Sequence, residues 1–177
     1  MLRPNSNYSK LLILTFLFTI ICISADYAQD PVVAKRGMVV STEKLASKVG
    51  QEILAKGGNA IDAAVATGFA LAVTYPQAGN LGGGGYMVIH LKTGENIFID
   101  YREKAPIKAT PDMYLDSAGN AVDSLSQESS SSAAVPGSTA GLIYVLNKYG
   151  TMKLADVIQP AIDLAQNGFV VTPEYSA

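Results

Sequence analysis

The residues best suited to chemistry lie in two neighbouring segments of this chain. A run of four glycines, residues 82–85, leads directly into an apolar stretch, and the next apolar stretch is followed by Arg102. Glycine lets another group come close because it has no side chain. A guanidinium presents a rigid fork of donors that can hold a carboxylate through two hydrogen bonds. Together these features predict a grip on a small molecule that carries a carboxylate.

Both features also have a structural interpretation. Arg102 could form an ion pair with Asp100, Glu103 or another acid, as many arginines do. The glycines equally suit a tight passage of backbone beside another segment. Two kinds of ligand site are excluded. A phosphate-binding loop needs Lys-Ser/Thr after its glycines, and these residues do not follow here. A dinucleotide site needs a strand before its glycines and a helix after them, the reverse of the predicted order.

A nucleophile or metal site is not recognisable in the sequence. Residues 137–141 read Gly-Ser-Thr-Ala-Gly, with the serine one place too early for the Gly-x-Ser-x-Gly motif. The single histidine, His90, lies in an apolar stretch, which predicts a core residue or one bonded to a partner. With Cys22 as the single cysteine, no cluster of metal ligands can form around His90. We therefore expect no catalytic residue, no cofactor and no metal within this chain.

Apolar periodicity predicts the helices that come before the glycine run. Residues 38–40 suit a short strand, and Ser41 or Thr42 suits the N-cap of an amphipathic helix that ends at Gly57-Gly58. Asn59 can cap the next helix. Residues 60–73 are small or apolar almost throughout, which is typical of a helix buried on all sides.

A β-hairpin is predicted after the glycines, with strands over 86–91 and 96–101 and a tight turn at Thr93-Gly94. Residues 116–132, rich in serine and acidic residues, predict a mobile surface loop. The fold class is therefore α+β.

Two further helical stretches are predicted near the end of the sequence. Ser138 suits the cap of a helix that reaches about Lys148. Beyond residue 151, Pro160 favours two short abutting helices over one, because proline is tolerated in a first helical turn. Gly168 is expected to end the second.

Composition restricts the class of protein and its destination. The sequence is 49% hydrophobic and 16% charged, which excludes a generally disordered chain, and its net charge of −2 without a basic tract argues against nucleic-acid binding. Arg3 and Lys10 precede an apolar run over 11–23, and Ser24-Ala25 follows. This arrangement predicts a signal peptide over residues 1–25, then a polar lead over 26–36, and a secreted or periplasmic protein. An uncleaved membrane anchor is the alternative.

Five motifs resemble those of the γ-glutamyltranspeptidase family, and the resemblance extends over about residues 34–175. They include Gly-Gly-Asn-Ala-Ile-Asp, Asn-Leu-Gly-Gly-Gly-Gly-Tyr-Met, Asp-Tyr-Arg-Glu-Lys-Ala-Pro and Val-Pro-Gly-Ser-Thr-Ala-Gly, and they lie at 57–65, 80–87, 100–106, 135–142 and 149–165. The resemblance implies an N-terminal-nucleophile hydrolase with an αββα sandwich. It further implies that residues 37–177 are the N-terminal part of a large subunit, truncated here, from a precursor that cleaves itself.

The same resemblance implies the reaction and the partners. Such enzymes transfer the γ-glutamyl group of glutathione or other γ-glutamyl compounds to water, amino acids or peptides, through a γ-glutamyl-threonine intermediate. Arg102 then binds the α-carboxylate of the donor, and Glu103 is a weaker candidate for the same site. The threonine belongs to the small subunit, outside this chain. This chain alone is therefore expected to be inactive. It is also expected to be poorly soluble, because the surface that the missing part would cover is exposed.

Two other functions stay open at this point. One is a related acylase that cleaves a different amide, which the Arg-Glu motif disfavours. The other is a non-catalytic secreted protein that binds glutamate and consists of this segment alone.

Overall fold

A computed structural model describes residues 14–16 and 31–176. The chain divides into two units, residues 1–35 and 36–177. In the first unit, residues 14–16 are helical and exposed, and the rest of the predicted signal peptide lies outside the described residues. Among the helices that can be described, none combines the length and the apolar character needed to cross a bilayer. The elements below all belong to the second unit.

Helix α1, Lys44–Ala55, buries an apolar stripe that includes Ala46 and Ile53. Its N-cap is Glu43, whose carboxylate accepts a hydrogen bond of 2.8 Å from the Ala46 N–H. The prediction of Ser41 or Thr42 as the cap was therefore wrong. The Ser41 hydroxyl is used elsewhere, since it donates to the Glu43 carbonyl at 2.7 Å.

Helix α2, Ala60–Thr74, begins with the predicted cap, and both halves of a capping box are present. Asn59 accepts from the backbone of Ile61 and Asp62, and the Asp62 carboxylate accepts from the Asn59 N–H. Most of its residues are buried, as its apolar composition predicts. Between α1 and α2, Gly57 has a φ of 93°, a conformation that glycine adopts without strain.

Strands β1, Tyr86–His90, and β2, Asn96–Asp100, form an antiparallel hairpin in which Tyr86 lies opposite Asp100. One face packs on the helical core through Met87, Ile89, Ile97 and Ile99. The opposite face is exposed: its apolar residues are Tyr86, Val88 and Phe98, and its polar residues are His90, Asn96 and Asp100.

The predicted strand at residues 38–40 is not observed. This segment has no ladder partner in the described part of the chain, and Val40 is 82% exposed. A strand needs a neighbouring strand for its backbone hydrogen bonds, and the hairpin does not supply one here.

The serine-rich stretch contains more structure than the prediction of a loop allowed. Helix α3, Asp123–Gln127, and a 3₁₀ turn, Ser130–Ser132, lie within it. The Tyr114 hydroxyl donates to the Ser131 carbonyl at 2.9 Å. Lys104 and Val135 form an isolated antiparallel bridge, so the two ends of the segment between them lie next to each other.

Helix α4, Ser138–Tyr149, begins at an N-cap formed by Gly137. Ser138 is therefore the first helical residue and not the cap that the sequence predicted. Its hydroxyl donates to the Asn80 Oδ1 at 2.6 Å, which joins the start of α4 to the loop before the hairpin.

Helix α5, Leu154–Asn167, runs through Pro160 without a break, so the prediction of two short helices was wrong. The apolar stripe on both sides of the proline is continuous, and Val157 and Ala161 are buried against the core. Packing of this stripe offsets the hydrogen bond that proline cannot donate. Gly168 ends the helix with a φ of 75°, as predicted, and a final short helix α6 spans Pro173–Ser176.

Candidate carboxylate-binding site

Arg102 lies two residues beyond the end of β2. The Tyr101 N–H donates to the Gly85 carbonyl at 3.0 Å, which extends the hairpin contact past Asp100. The Asp100 carboxylate then accepts from the Arg102 backbone N–H at 2.9 Å. These two bonds hold the backbone of Arg102 and leave its side chain to project from the end of the hairpin.

The guanidinium of Arg102 contacts a tyrosine rather than an acid. Its Nη1 donates to the Tyr86 hydroxyl at 2.7 Å, and its Cζ lies 5.7 Å from the centre of that ring. This hydrogen bond raises the pKa of Arg102, with further help from Asp100 and Glu103. Within residues 31–176, Arg102 forms no salt bridge. The ion pair that was considered as a structural role for Arg102 is thus not formed in the described part of the chain.

Tyr86 is held in turn by the hairpin. Its ring stacks on Phe98 with centroids 5.5 Å apart and planes 24° from parallel. Both side chains belong to the exposed face of the sheet. Sequence reasoning missed Tyr86, which the observed register places opposite Asp100, two residues from Arg102.

The Arg102 side chain is exposed, so the described residues do not enclose a finished pocket around it. Glu103, the second predicted site residue, is exposed as well, and its carboxylate accepts no hydrogen bond from residues 31–176. Glu103 is one of the residues that line a cavity of about 430 Å³, together with Lys104, Tyr114 and Ser131. The structure thus places both predicted residues at one exposed edge.

The glycine run places the backbone of Arg102. A Cβ on Gly84 would lie 2.6 Å from the Arg102 Cα, and one on Gly85 would lie 2.9 Å from the Tyr101 ring. A Cβ on Gly137 or on Gly141 would come closer still to Tyr101, from the side of α4. Real Cβ atoms do not come this close, so the glycines allow a tight passage of backbone, one of the two roles left open by the sequence.

Hydrogen bonds tie the same run to the start of α4. The Gly83 carbonyl accepts from the backbone N–H groups of Gly137 and Ser138, each at 2.8 Å. Asn80 Oδ1 accepts from the Gly83 N–H at 2.8 Å and from the Ser138 hydroxyl. The loop before the hairpin is therefore fixed to the start of α4.

His90 does not contribute to this site. It is exposed, and its Nδ1 lies 2.8 Å from the Asn96 Oδ1 across the hairpin. The prediction of a core residue was wrong, whereas the alternative of a residue bonded to a partner is confirmed. Across the described ranges, His, Cys, Asp and Glu side chains form no group of three that could hold a metal ion.

Comparison with known proteins assigns this arrangement to a family. The profile of the family described as Gamma-glutamyltranspeptidase matches residues 46–177. The chain belongs to the γ-glutamyltranspeptidase family. Within the family match lie the glycine run, the hairpin, Arg102 and helices α2, α4 and α5.

Individual members of the γ-glutamyltranspeptidase family agree with this assignment. A glutathione hydrolase proenzyme of Pseudomonas sp. (strain A14) is 50% identical over 167 residues, or 94% of this chain. A crystal structure of Helicobacter pylori gamma-glutamyltranspeptidase superimposes with a TM-score of 0.79 at 53% identity and covers 83% of this chain. An acylase ACY 1 proenzyme of Pseudomonas sp. (strain V22) is 47% identical over 154 residues, or 84% of this chain.

The chain spans only part of these relatives. It covers 29% of the Pseudomonas glutathione hydrolase proenzyme, 28% of the acylase proenzyme and 42% of the Helicobacter pylori chain. The α+β architecture described above is the portion that they share with it.

Proposed function

We propose that this chain is the N-terminal part of the large subunit of a glutathione hydrolase and γ-glutamyltransferase. The enzyme would cleave the γ-glutamyl amide of glutathione and pass the glutamyl group to water, an amino acid or a peptide. Arg102 would bind the α-carboxylate of the γ-glutamyl donor. The observation that carries this proposal is that the Arg102 guanidinium contacts Tyr86 and no acid within residues 31–176.

The geometry of the guanidinium supports this role. A guanidinium has five N–H donors, and a carboxylate binds best along an edge that offers two of them. Tyr86 accepts from Nη1 alone, and the edge formed by Nε and Nη2 has no acceptor among the residues that the structure describes. A donor carboxylate can therefore take two parallel hydrogen bonds there without displacing an internal partner.

The chemical step would be carried by a threonine outside this chain. The hydroxyl of the threonine exposed by self-cleavage would attack the γ-carbonyl, with the threonine amine as the base. The amide bond breaks, the leaving amine takes the proton, and a γ-glutamyl ester forms; water or an acceptor amine then attacks this ester and frees the threonine. The residues described here would position the donor by its α-carboxylate. Holding one end of the donor orients its γ-amide toward the nucleophile and lowers the entropy cost of the reaction. Glu103 lies beside Arg102 in sequence and is the weaker candidate for a second contact to the same substrate.

The remaining part of the precursor, including the small subunit, is the proposed partner of this chain. The exposed apolar face of the hairpin supports this, since Val88 and Phe98 are 75% and 62% exposed. We propose that a second sheet covers this face in an αββα sandwich. The predicted signal peptide over residues 1–25 supports a secreted or periplasmic enzyme, and an uncleaved N-terminal anchor is the alternative.

An acylase is the second candidate function, and the 47% identity to an acylase proenzyme supports it. The two functions differ in what Arg102 does. A γ-glutamyl donor carries an α-carboxylate that needs a cation, whereas an acyl group without a carboxylate leaves the guanidinium unused. Comparing rates on γ-glutamyl-p-nitroanilide and on an N-acyl amide lacking that carboxylate separates them. A glutamate-binding protein made of this segment alone would instead require residues 26–177 to fold and bind glutamate without turnover.

The decisive test is substitution of Arg102 in the full precursor. We expect Arg102→Ala to raise the KM for glutathione at least about tenfold, because the charged hydrogen bonds to the carboxylate are lost. Self-cleavage should continue, because it does not involve the donor. Arg102→Lys should recover little, since an ammonium cannot form the planar fork.

Lys92→Ala is the matched control, because it removes one positive charge from the far end of the same hairpin. Its KM should equal that of the unsubstituted enzyme. An unchanged KM for Arg102→Ala would remove the proposed role.

A further inference from the structure

We propose that Tyr86 is a positioning residue for the carboxylate site: its hydroxyl and ring set the direction of the Arg102 guanidinium. The inference rests on the proposed function of Arg102 and adds a second residue to the same site. No general feature of a glycine run or a hairpin requires a tyrosine at this place. Two contacts join the side chains of Arg102 and Tyr86, and two others hold Tyr86 in place.

The contact between the side chains defines one end of the guanidinium. A guanidinium has no hydrogen-bond acceptor, so in the 2.7 Å contact Nη1 donates and the Tyr86 oxygen accepts. The Arg102 Cζ also lies 5.7 Å from the ring centre, within the range of a cation–π contact. Both contacts involve the same ring, so a rotation of the guanidinium would weaken both of them together.

Tyr86 can serve as a reference point because its own position is fixed. Its backbone pairs with Asp100 at the end of the hairpin, and its ring stacks on Phe98 of the neighbouring strand. A tyrosine side chain has two rotatable bonds before the hydroxyl, whereas an arginine has four before its planar group. The stiffer side chain therefore determines where the more flexible one points.

The result is a guanidinium whose free edge faces a constant direction. Arg102 is exposed and forms no salt bridge in the described part of the chain, so without Tyr86 its side chain would sample many rotamers. A carboxylate would then bind only the rotamers that present the correct edge of the guanidinium. The apparent affinity would be reduced in proportion to the fraction of such rotamers. Tyr86 would thus act on donor binding and not on the chemical step.

The test is Tyr86→Phe in the full precursor, which removes the hydroxyl and retains the ring that stacks on Phe98. We expect the KM for a γ-glutamyl donor to rise about three- to tenfold, with kcat and self-cleavage unchanged. Discrimination between the donor and its α-amide analogue, which lacks the negative charge, should fall by a similar factor. A merely structural role for the hydroxyl would not change this discrimination.

Tyr144→Phe is the matched control. It removes another exposed tyrosine hydroxyl that accepts a hydrogen bond from a cation, in this case Lys148 Nζ at 3.1 Å on α4. We expect no change in KM. Phe98→Leu supplies a second, independent variant, because it leaves the hydroxyl in place and removes the ring on which Tyr86 stacks; a KM rise of about two- to fivefold is expected.

The double variant separates this inference from the proposed function. In an Arg102→Ala background, Tyr86→Phe should add no further rise in KM, since the group that it positions is gone. If Arg102→Ala raises the KM while Tyr86→Phe and Phe98→Leu leave it unchanged, the positioning role is overturned and the function of Arg102 stands. If Tyr86→Phe raises the KM equally with and without Arg102, Tyr86 acts independently of Arg102 and the inference fails. If Arg102→Ala leaves the KM unchanged, the carboxylate site itself is refuted.

Discussion

The Asp62 carboxylate accepts a hydrogen bond of 2.6 Å from the Thr151 hydroxyl, although 89 positions separate the two residues in the chain. Asp62 is fully buried. It also accepts from the backbone N–H groups of Asn59, Thr151 and Met152, so one carboxylate joins the start of α2 to the α4–α5 connection. These two segments flank the core beneath the hairpin, which makes Asp62 a cross-link for the whole unit.

Loss of this cross-link should destabilise the fold. We expect Asp62→Ala to lower the free energy of unfolding by about 3 kcal/mol or more, because three backbone N–H groups lose their acceptor. Thr151→Val should cost about 1–2 kcal/mol, since one hydroxyl donor is lost. Thr151→Ser retains the hydroxyl and is the matched control. Urea unfolding of the purified protein measures all three, and equal stabilities for Thr151→Val and Thr151→Ser would contradict the role of the hydroxyl.

Stability should also depend on pH through Asp62. Burial alone would raise the pKa of Asp62, but hydrogen bonds from Thr151, Asn59 and Met152 outweigh it and hold the pKa below its ordinary value. A depressed folded-state pKa stabilises the protein above the unfolded value of about 3.9, and this contribution disappears as the pH falls through the folded value. The Tm difference between the unsubstituted protein and Asp62→Asn should therefore be constant above about pH 5 and shrink below about pH 4. A difference that grows on acidification would refute this assignment.

The glycines of the run should differ sharply in their tolerance of a methyl group. Gly84→Ala would place a Cβ 2.6 Å from the Arg102 Cα, so the backbone must shift, and we expect lower stability together with a higher KM for the donor. Gly82→Ala is the control within the same run, because no heavy atom lies within 4 Å of its added Cβ and its φ is not positive. It should behave like the unsubstituted enzyme. Equal effects of the two substitutions would show that the run serves flexibility and not close approach.

The exposed face of the hairpin should make residues 31–177 aggregate when they are expressed alone. Val88 is 75% exposed between Tyr86 and Phe98, and a contiguous apolar face of this kind promotes association. We expect Val88→Lys to reduce binding of a hydrophobic dye and to shift size-exclusion profiles toward the monomer. Val170→Lys makes the same change at a residue that is 89% exposed outside this face, and it should have little effect. If the unsubstituted segment is monomeric and does not bind the dye, this face does not need to be covered by another part of the protein.

Local patterns predicted the elements well where one signal dominated. The hairpin strands fall within one residue of the expected bounds, because two strand-like stretches flank a short segment with Thr93-Gly94 at its centre. Asn59 was confirmed as a cap because its Oδ1 accepts from nearby backbone N–H groups, while its Nδ2 donates to the distant Tyr149 carbonyl at 2.7 Å. Ser138 failed as a cap because the helix begins one residue earlier than expected, and its hydroxyl bonds to Asn80, 58 positions away. Pro160 likewise stayed within one helix because packing on both sides of it outweighed a local preference.

The sequence by itself determined the helices, the hairpin and the position of a cation at the end of the second strand. These follow from periodicity and from bonds between near neighbours, which a linear pattern records. Only the tertiary structure decided that Arg102 turns to Tyr86 instead of an acid, that Gly84 and Gly137 lie against its backbone, and that Asp62 joins Thr151. Gly137 and Thr151 are brought to these places by the packing of distant segments, whereas the direction of the Arg102 side chain depends on contacts across the hairpin. The energies of these contacts depend on interatomic distance and on burial, and neither quantity can be derived from the order of the residues alone.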